Sequence, residues 1–351
     1  MTIRLNRLIR LAFLLFLAQA AWALPPLHVE GQRVVTDSGS PVLLRGVNLG
    51  GWLLNEIWMT HTLGIDDDMS WRAALQSRFS DAQVDALLRI FHDNWITDED
   101  FSLLSSWGCT CVRVPFFYRI LEDDDAPGVY LTNGWRLLDY AVAQCASNGM
   151  YCILDMHGTP GAQSDSHTTG HADYNRLYVS NDYQDRTIAM WRAIAERYAD
   201  EPAVAAYDLI NEPWGAFEQD PDIPPDYDVW TNLYDRIYRA IREVDTNHIV
   251  IFADRGPSTS IMELPHPAGM GWTNVMFDFH AYDFWNTDEA AQIEFLQGVV
   301  RWYSVFRATY DVPVLIGEFH PANGWRAWAY FLETMSAYDF HWTVWSYACH
   351  Q

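Results

Sequence analysis

The sequence predicts a (β/α)8 barrel, an α/β fold in which eight parallel strands alternate with helices. Eight short apolar runs rich in β-branched residues recur along the chain, several of them apolar at successive positions, as in strands buried on both faces. Between them lie amphipathic stretches long enough for a helix that returns antiparallel to a parallel strand. Eight such units in 351 residues fit a closed barrel better than a doubly wound sheet.

The first 23 residues are expected to be a secretory signal peptide. Three arginines precede the short apolar run Leu11–Leu17, and Ala21-Trp22-Ala23 offers a small-x-small cleavage site. That run is too short to span a bilayer, and no later stretch reaches about 20 uninterrupted apolar residues. We therefore expect cleavage near Ala23 and one barrel domain at 24–351, secreted to the extracellular space or periplasm and free of the membrane.

A hairpin is predicted ahead of the barrel, over Leu27–Leu44, with its turn at Asp37–Ser40 and a position that plugs the barrel's lower mouth. The barrel strands are predicted at Leu43–Leu49, Cys111–Phe116, Tyr151–Met156, Val204–Ile210, His248–Phe252, Val275–Phe279, Val312–Ile316 and His341–Trp345. Helices are predicted at Trp135–Ser147, Asp182–Tyr198, Val229–Val244, Asp288–Thr309 and Gly324–Ala337.

The C-terminal end of the sequence differs from a complete barrel. Only six residues follow Trp345, too few for an eighth helix. The expectation is a truncated reading frame, whose barrel lacks that helix and exposes apolar surface between the last and first strands. An inactive fragment is therefore one alternative to a working enzyme.

Composition narrows the possible partners. The formal net charge is −24, and all 22 basic residues are arginine. So acidic a chain is not expected to bind nucleic acid or an anionic membrane, because phosphate contacts need clustered basic residues. The 17 Trp and 18 Tyr are many for this length, and such rings either fill a core or stack on sugar rings. Most of these rings are expected to pack in the core, and the protein is expected to be a monomer.

Polar residues occur where the predicted strands end, and the C-terminal ends of the strands form the active site in barrels of this kind. Arg113 follows Cys111-Val112 of the second strand, and five other strands end at His157, Asn211 with Glu212, His280 with Tyr282, Glu318, and Trp345. Two carboxylic acids, from the fourth and seventh strands, therefore approach a common centre.

Paired carboxylic acids suit cleavage of a glycosidic bond, which needs one proton donor and one ionised group. We predict that Glu318 is the nucleophile, held ionised by Arg113 and the Tyr282 hydroxyl. Glu212 is predicted to be the acid/base, with a pKa raised by its neighbouring carboxylate and partial burial.

Two neighbours of this pair are predicted to bind the sugar. Asn211 is placed to hydrogen-bond its 2-hydroxyl, a contact that strengthens in the transition state. Trp345 is predicted to form the floor on which the reacting sugar stacks.

Five segments together resemble glycoside hydrolase family 5, the cellulase family, in its exo-1,3-β-glucanase-like part. They are Arg45-Gly46-Val47-Asn48-Leu49-Gly50-Gly51-Trp52-Leu53, Val112-Arg113-Val114-Pro115, Leu154-Asp155-Met156-His157-Gly158-Thr159-Pro160-Gly161, Ile210-Asn211-Glu212-Pro213 and Ile316-Gly317-Glu318-Phe319. The resemblance implies a (β/α)8 barrel, hydrolysis of a β-glycoside with retention, and no cofactor. It implies an active-site set of Arg113, His157, Asn211, Glu212, His280, Tyr282, Glu318 and Trp345.

The substrate is less closely defined. The segment 52–58 is similar to a stretch of the exo-acting 1,3-glucanases whose glutamate holds the terminal glucose, which implies that role for Glu56 and a β-glucan or β-glucoside substrate. The loops at 164–167 and 283–285 differ from those enzymes, although Trp285 can still clamp a sugar face. β-1,4- and β-1,6-glucans therefore stay open, as does a non-catalytic carbohydrate-binding barrel.

No metal site is expected. The histidines at 157, 167 and 171 are better explained as solvated or sugar-contacting residues, because their spacing does not match a metal site.

Overall fold

The computed structural model describes residues 24–60, 64–216, 227–254, 264–321 and 324–347. The expected signal peptide, residues 1–23, lies outside this range, as do the last four residues. None of the helices within the described range combines the length and apolar character that crossing a membrane requires.

The chain begins with the predicted hairpin. Strands β1 (Leu27–Glu30) and β2 (Arg33–Thr36) pair antiparallel. The predicted turn position is wrong, because the strands are joined at Gly31-Gln32, where Gly31 has a φ of 57°. A two-residue turn with positive φ matches the twist of the flanking strands. Residues 37–40 instead form a second turn, which brings Pro41 back beside Val35.

The hairpin packs against the N-terminal ends of the barrel strands. Leu27 and Val34 are buried in one apolar cluster with Cys111, Tyr151 and Ile249, which belong to the barrel. Burial of these side chains closes the lower mouth of the barrel.

Eight parallel strands close into a barrel whose order follows the chain, with the last strand paired to the first. Each lies within three residues of its predicted bounds. They are β3 (Arg45–Asn48), β4 (Cys111–Phe117), β5 (Tyr151–Gly158), β6 (Val204–Asp208), β7 (Ile249–Ala253), β8 (Val275–Ala281), β9 (Val314–Phe319) and β10 (His341–Val344).

Helices surround the barrel, and all five predicted ones are confirmed. In chain order the described helices are α1 (Ile57–Thr60), α2 (Asp68–Gln76), α3 (Asp81–Trp95), α4 (Asp98–Ser106), α5 (Thr132–Ser147), α6 (Asn181–Tyr198), α7 (Tyr227–Arg242), α8 (Pro267–Met270), α9 (Glu289–Tyr310) and α10 (Trp325–Ala337). Capping boxes fix the starts of α3, at Ser80 with Gln83, and of α4, at Thr97 with Asp100.

The apolar cover is thinnest between the last and first strands. Strands β4 to β9 are buried along their whole length. Trp342 and Val344 on β10 and Val47 on β3 are only partly buried. Within the described residues, β10 is the last helix or strand.

Candidate active site

A cavity of about 710 Å³ opens at the C-terminal ends of the barrel strands. Both predicted catalytic glutamates face it, together with aromatic side chains from several loops. The principal lining residues are Glu56, Trp58, His157, His167, Glu212, Trp214, Tyr282, Phe284, Glu318, His320, Trp328 and Trp345.

Glu212 follows β6 in a backbone conformation that its residue type rarely adopts. Its φ is 40°, and its carbonyl accepts a hydrogen bond from the Trp214 amide at 2.7 Å. Left-handed geometry at a non-glycine residue costs about 1–3 kcal/mol and persists only where neighbours fix it. The result is a carboxyl group turned toward His280, whose Nδ1 lies 2.7 Å from Glu212 Oε1.

Glu318 lies on β9 and receives two hydrogen bonds. Tyr282 donates its hydroxyl to Oε2 at 2.9 Å, and Arg113 Nη1 donates to Oε1 at 3.1 Å. Burial and the nearby Glu318 and Glu212 carboxyls raise the pKa of Tyr282 well above its usual range, so this phenol stays a donor. A positively charged donor and a hydroxyl together stabilise negative charge on Glu318.

The two carboxyl groups are close to each other. An oxygen of Glu212, an oxygen of Glu318 and a nitrogen of His280 lie within 4.8 Å of one another. Retaining glycosidases have their carboxyl groups about 5 Å apart, whereas inverting enzymes leave space for a water molecule. The spacing therefore fits direct attack by one carboxylate on the sugar.

Arg113 crosses the barrel interior beneath the cavity and is fully buried. Its Nη2 donates to Asn211 Oδ1 at 2.8 Å, and its Nε to Asp208 Oδ2 at 2.9 Å. Burial opposes its charge, but the surrounding carboxyls raise the pKa of Arg113 well above its usual value. The four carboxyl groups around it are Asp155, Asp208, Asp278 and Glu318.

The three aspartates beside Arg113 are not among the predicted site residues. All are fully buried. Burial raises the pKa of Asp155 to about 8 and that of Asp208 well above its usual value, while the neighbouring Arg113 charge opposes both shifts. The sequence did contain one indication that two of them belong to the site, because Asp155 and Asp278 each precede a predicted site histidine by two residues. Strand periodicity puts such pairs on one face.

His157 is a neutral imidazole with a defined tautomer. Asn211 Nδ2 lies 3.2 Å from its Nε2 and can only donate, so Nδ1 carries the proton and donates to Asp155 Oδ2 at 2.7 Å. Burial lowers the pKa of His157 to about 3. Trp345 stacks on this ring, with centroids 5.0 Å apart and planes at 11°.

Glu56 is a buried acid in the cavity wall. Its Oε2 accepts the Trp58 indole N–H at 2.8 Å, while Oε1 has no hydrogen-bond partner among the described residues. Burial, together with the Glu318 and Glu212 carboxyls, raises the pKa of Glu56 to about 8. The Glu56 carboxyl group thus combines a raised pKa with a place in the cavity wall.

Replacing Glu56 by glutamine is expected to change how stability depends on pH. The unfolded acid releases its proton near pH 4.5 and the folded acid near pH 8, so wild-type stability falls between these values as pH rises. Glu56→Gln removes this loss. The unfolding free energy of the variant minus that of wild type should therefore increase by about 1 kcal/mol or more from pH 5 to pH 8.

Urea unfolding followed by tryptophan fluorescence measures this effect. The control is Glu196→Gln, which changes a glutamate whose side chain is 66% exposed and should stay within about 0.5 kcal/mol of wild type. If the difference in unfolding free energy between Glu56→Gln and wild type is the same at both pH values, the pKa of Glu56 is not raised.

The structure brings together all but one of the predicted site residues. Trp285 is 92% exposed and does not line the cavity. Its neighbour Phe284 lines it instead, stacked on Tyr282 with centroids 4.7 Å apart. Other lining residues that the sequence did not single out include Trp58, Trp214, His320 and Trp328.

Glu212, His280 and Glu318 are spaced closely enough to bind a metal ion. However, Glu318 already accepts hydrogen bonds from Arg113 and Tyr282. The fixed positive charge of Arg113 disfavours a cation at that carboxylate. The same contacts suit a positive charge that develops only briefly on a substrate carbon above Glu318.

The sequence matches the family model described as cellulase (glycosyl hydrolase family 5) over residues 79–351. It is 33% identical over 260 residues to a β-xylosidase from Phanerodontia chrysosporium, covering 73% of this chain and 52% of that protein. It is 29% identical over 266 residues to a glucan 1,3-β-glucosidase from Blumeria graminis, covering 71% and 57%. The chain thus spans about half the length of these curated relatives.

The fold is similar to that of a rutinosidase from Aspergillus niger, with a TM-score of 0.72 and 20% identity. That alignment covers 88% of this chain and 90% of the rutinosidase chain. The chain belongs to glycoside hydrolase family 5, the cellulase family.

Proposed function

We propose that the protein is an exported, exo-acting β-glucosidase that removes glucose from the ends of β-1,3-glucans. The observation that supports the chemistry is one pair of adjacent carboxyls with different partners. Glu318 accepts from Arg113 and Tyr282, as suits a nucleophile. Glu212 pairs with His280, as suits a group that gives and takes a proton.

The first step breaks the glycosidic bond. A Glu318 oxygen attacks the anomeric carbon while the proton of the Glu212 carboxyl passes to the leaving oxygen. The leaving sugar departs as an alcohol, and a covalent glycosyl ester remains on Glu318. Positive charge develops on the sugar ring during attack, and the carboxylate stabilises it.

The second step releases glucose. Glu212, now ionised, takes a proton from a water molecule, whose oxygen attacks the anomeric carbon from the face that the leaving group vacated. The ester bond to Glu318 breaks, and Glu212 regains its proton. Two inversions at the same carbon give overall retention of configuration.

Several residues are proposed to bind the terminal sugar. Trp345 is only 7% exposed and forms the floor on which the sugar ring stacks. Asn211 has one amide hydrogen left for the 2-hydroxyl after its bond to His157. The free oxygen of Glu56 would bind a hydroxyl at the non-reducing end, which favours a terminal glucose over an internal one.

A substrate panel tests this function. Protein recovered from the culture medium, whose N-terminal sequence should begin at Leu24, is incubated with 4-nitrophenyl β-glucoside, 4-nitrophenyl β-xyloside and 1,3-, 1,4- and 1,6-linked β-glucans. We expect glucose from the aryl glucoside and the 1,3-glucan, and none with Glu318→Gln.

Other outcomes select other functions. Faster cleavage of the xyloside would favour a β-xylosidase, the activity named for the relative that is 33% identical. Cleavage only of 1,4- or 1,6-glucans would overturn the linkage. Binding of oligosaccharide without any cleavage by wild type would favour a carbohydrate-binding protein, and neither binding nor cleavage would favour an inactive fragment.

A further inference from the structure

A buried carboxyl group lies on the far side of His280 from the cavity. Asp278 precedes His280 by two residues on β8 and is fully buried. Its Oδ2 lies 3.5 Å from His280 Nε2, and neither atom has a closer hydrogen-bond partner among the described residues. His280 Nε2 is nearer to Asp278 Oδ2 than the Arg113 guanidinium is, so a hydrogen bond between these two atoms would satisfy both.

The position of Asp278 is fixed from its other side. Its Oδ1 accepts the Gly317 amide N–H at 2.7 Å, and Arg113 Nη2 lies 3.7 Å from Oδ2. A Cβ atom at Gly317 would come within 2.3 Å of Oδ2, so only glycine leaves room for the carboxyl group against this strand. Asp278 is thus held with one oxygen committed to Gly317 and the other facing His280.

His280 connects this acid to Glu212. Its Nδ1 lies 2.7 Å from Glu212 Oε1. Burial alone would lower the pKa of His280, but Glu318, Asp278 and Glu212 raise it well above its usual value. The titratable and charged groups around the ring are Glu212, Glu318, Asp278, Arg113, Asp155, His157 and Tyr282.

We propose that Asp278 is a positioning residue for proton donation: it anchors the Nε2–H of His280, so that Nδ1 is left to share a proton with Glu212. This inference rests on the proposed function of Glu212 as the acid/base. When Glu212 passes its proton to the leaving oxygen, the His280–Glu212 pair loses one positive charge. Asp278 holds the proton on Nε2 during this transfer. When the His280 ring is neutral, its only proton is therefore on Nε2, and the unprotonated Nδ1 faces Glu212.

Replacing Asp278 with asparagine should reverse the tautomer of His280. The Gly317 N–H requires an acceptor, so the Asp278→Asn amide oxygen would turn toward Gly317 and its NH2 group toward His280 Nε2. Nε2 then has to accept, and the ring proton moves to Nδ1, where it donates to Glu212 and holds it as a carboxylate. Loss of the Asp278 negative charge also lowers the proton affinity of the His280–Glu212 pair.

Leaving-group dependence detects this defect. Phenyl β-glucoside needs proton donation, whereas 2,4-dinitrophenyl β-glucoside does not. We expect Asp278→Asn to lower kcat/KM about 100-fold on the first substrate and only a few-fold on the second, since general acid catalysis contributes about 10²- to 10⁴-fold. The alkaline limb of the pH profile for the phenyl glucoside should move about one unit lower.

Asp208→Asn is the matched control. Asp208 is equally buried and contacts Arg113 Nε at 2.9 Å, but it makes no contact with His280. A purely structural disturbance lowers kcat/KM on both substrates by the same factor, and this is the result expected for Asp208→Asn. An equal loss on both substrates with Asp278→Asn would overturn the proposal.

The ¹⁵N NMR signal of the His280 ring, assigned through its loss in His280→Gln, does not depend on activity. We expect a proton on Nε2 in wild type and on Nδ1 in Asp278→Asn. An unchanged tautomer in Asp278→Asn, or an unprotonated Nε2 in wild type at pH 6, would overturn the proposal. A wild type that cleaves no aryl glycoside, yet shows the expected tautomers, would refute the proposed function and leave the Asp278–His280 arrangement supported.

Discussion

Glu318→Ala is expected to lower kcat on an aryl β-glucoside by about 10⁵-fold, the scale seen when a catalytic nucleophile is removed. The carboxylate that accepts from Arg113 and Tyr282 is then missing, and no glycosyl-enzyme can form. The truncation leaves a space beside the anomeric carbon that a small anion can enter. Sodium azide should therefore restore turnover of 2,4-dinitrophenyl β-glucoside.

The configuration of the azide product identifies the role. With Glu318→Ala, azide attacks the substrate directly, so the glucosyl azide should have the inverted, α configuration. Glu212→Ala is the paired variant: its glycosyl-enzyme still forms from an activated substrate, and azide should give the retained, β product. NMR of the two products measures the outcome. A β product from Glu318→Ala would show that the nucleophile is another residue.

Arg113→Met is expected to destabilise the fold by about 3–5 kcal/mol at pH 7, because it leaves buried carboxyls without their countercharge. Arg113 lies within 3.7 Å of four carboxyl groups and is itself fully buried. Whole domains are stable by only about 5–15 kcal/mol, so this loss is a large fraction of the total. Urea unfolding followed by tryptophan fluorescence measures it.

The loss should be smaller at pH 5. Without Arg113, the folded carboxyls bind protons more tightly than their unfolded counterparts, so the stability of the variant rises as pH falls. Arg197→Met is the control, since Arg197 is 41% exposed where it pairs with Asp139, and its loss should cost no more than about 1 kcal/mol. A loss at Arg113 that is the same at both pH values would indicate lost packing instead of lost charge.

The barrel was predictable because its strands are marked locally. Val314–Phe319 is buried at every position and apolar at almost every one, and Ile249–Ala253 is similar, so the apolar runs indicated both strands directly. The hairpin turn was misplaced because Asp37–Ser40 has the stronger turn composition, while the joining turn depends on one glycine, Gly31.

The meeting of the candidate site residues at one rim was also predictable, since most of them lie on or just after the C-terminal part of a barrel strand. Trp285 was a different case: adjacent aromatic residues in a loop do not reveal which ring turns inward. Phe284 lines the cavity and Trp285 points to solvent. The conformation of the loop stacks Phe284 on Tyr282, and composition alone does not specify that conformation.

By itself, the sequence determined the barrel, the family and the residues that meet at the rim, because periodicity and strand-end position are local properties of the chain. Only the tertiary structure decided the electrostatic surroundings of those residues. The single charge of Arg113 is shared by four carboxyls, burial raises the pKa of Glu56, and Asp278 lies beside Nε2 of His280. These states depend on burial and on distances between groups far apart in sequence, and no local pattern encodes either.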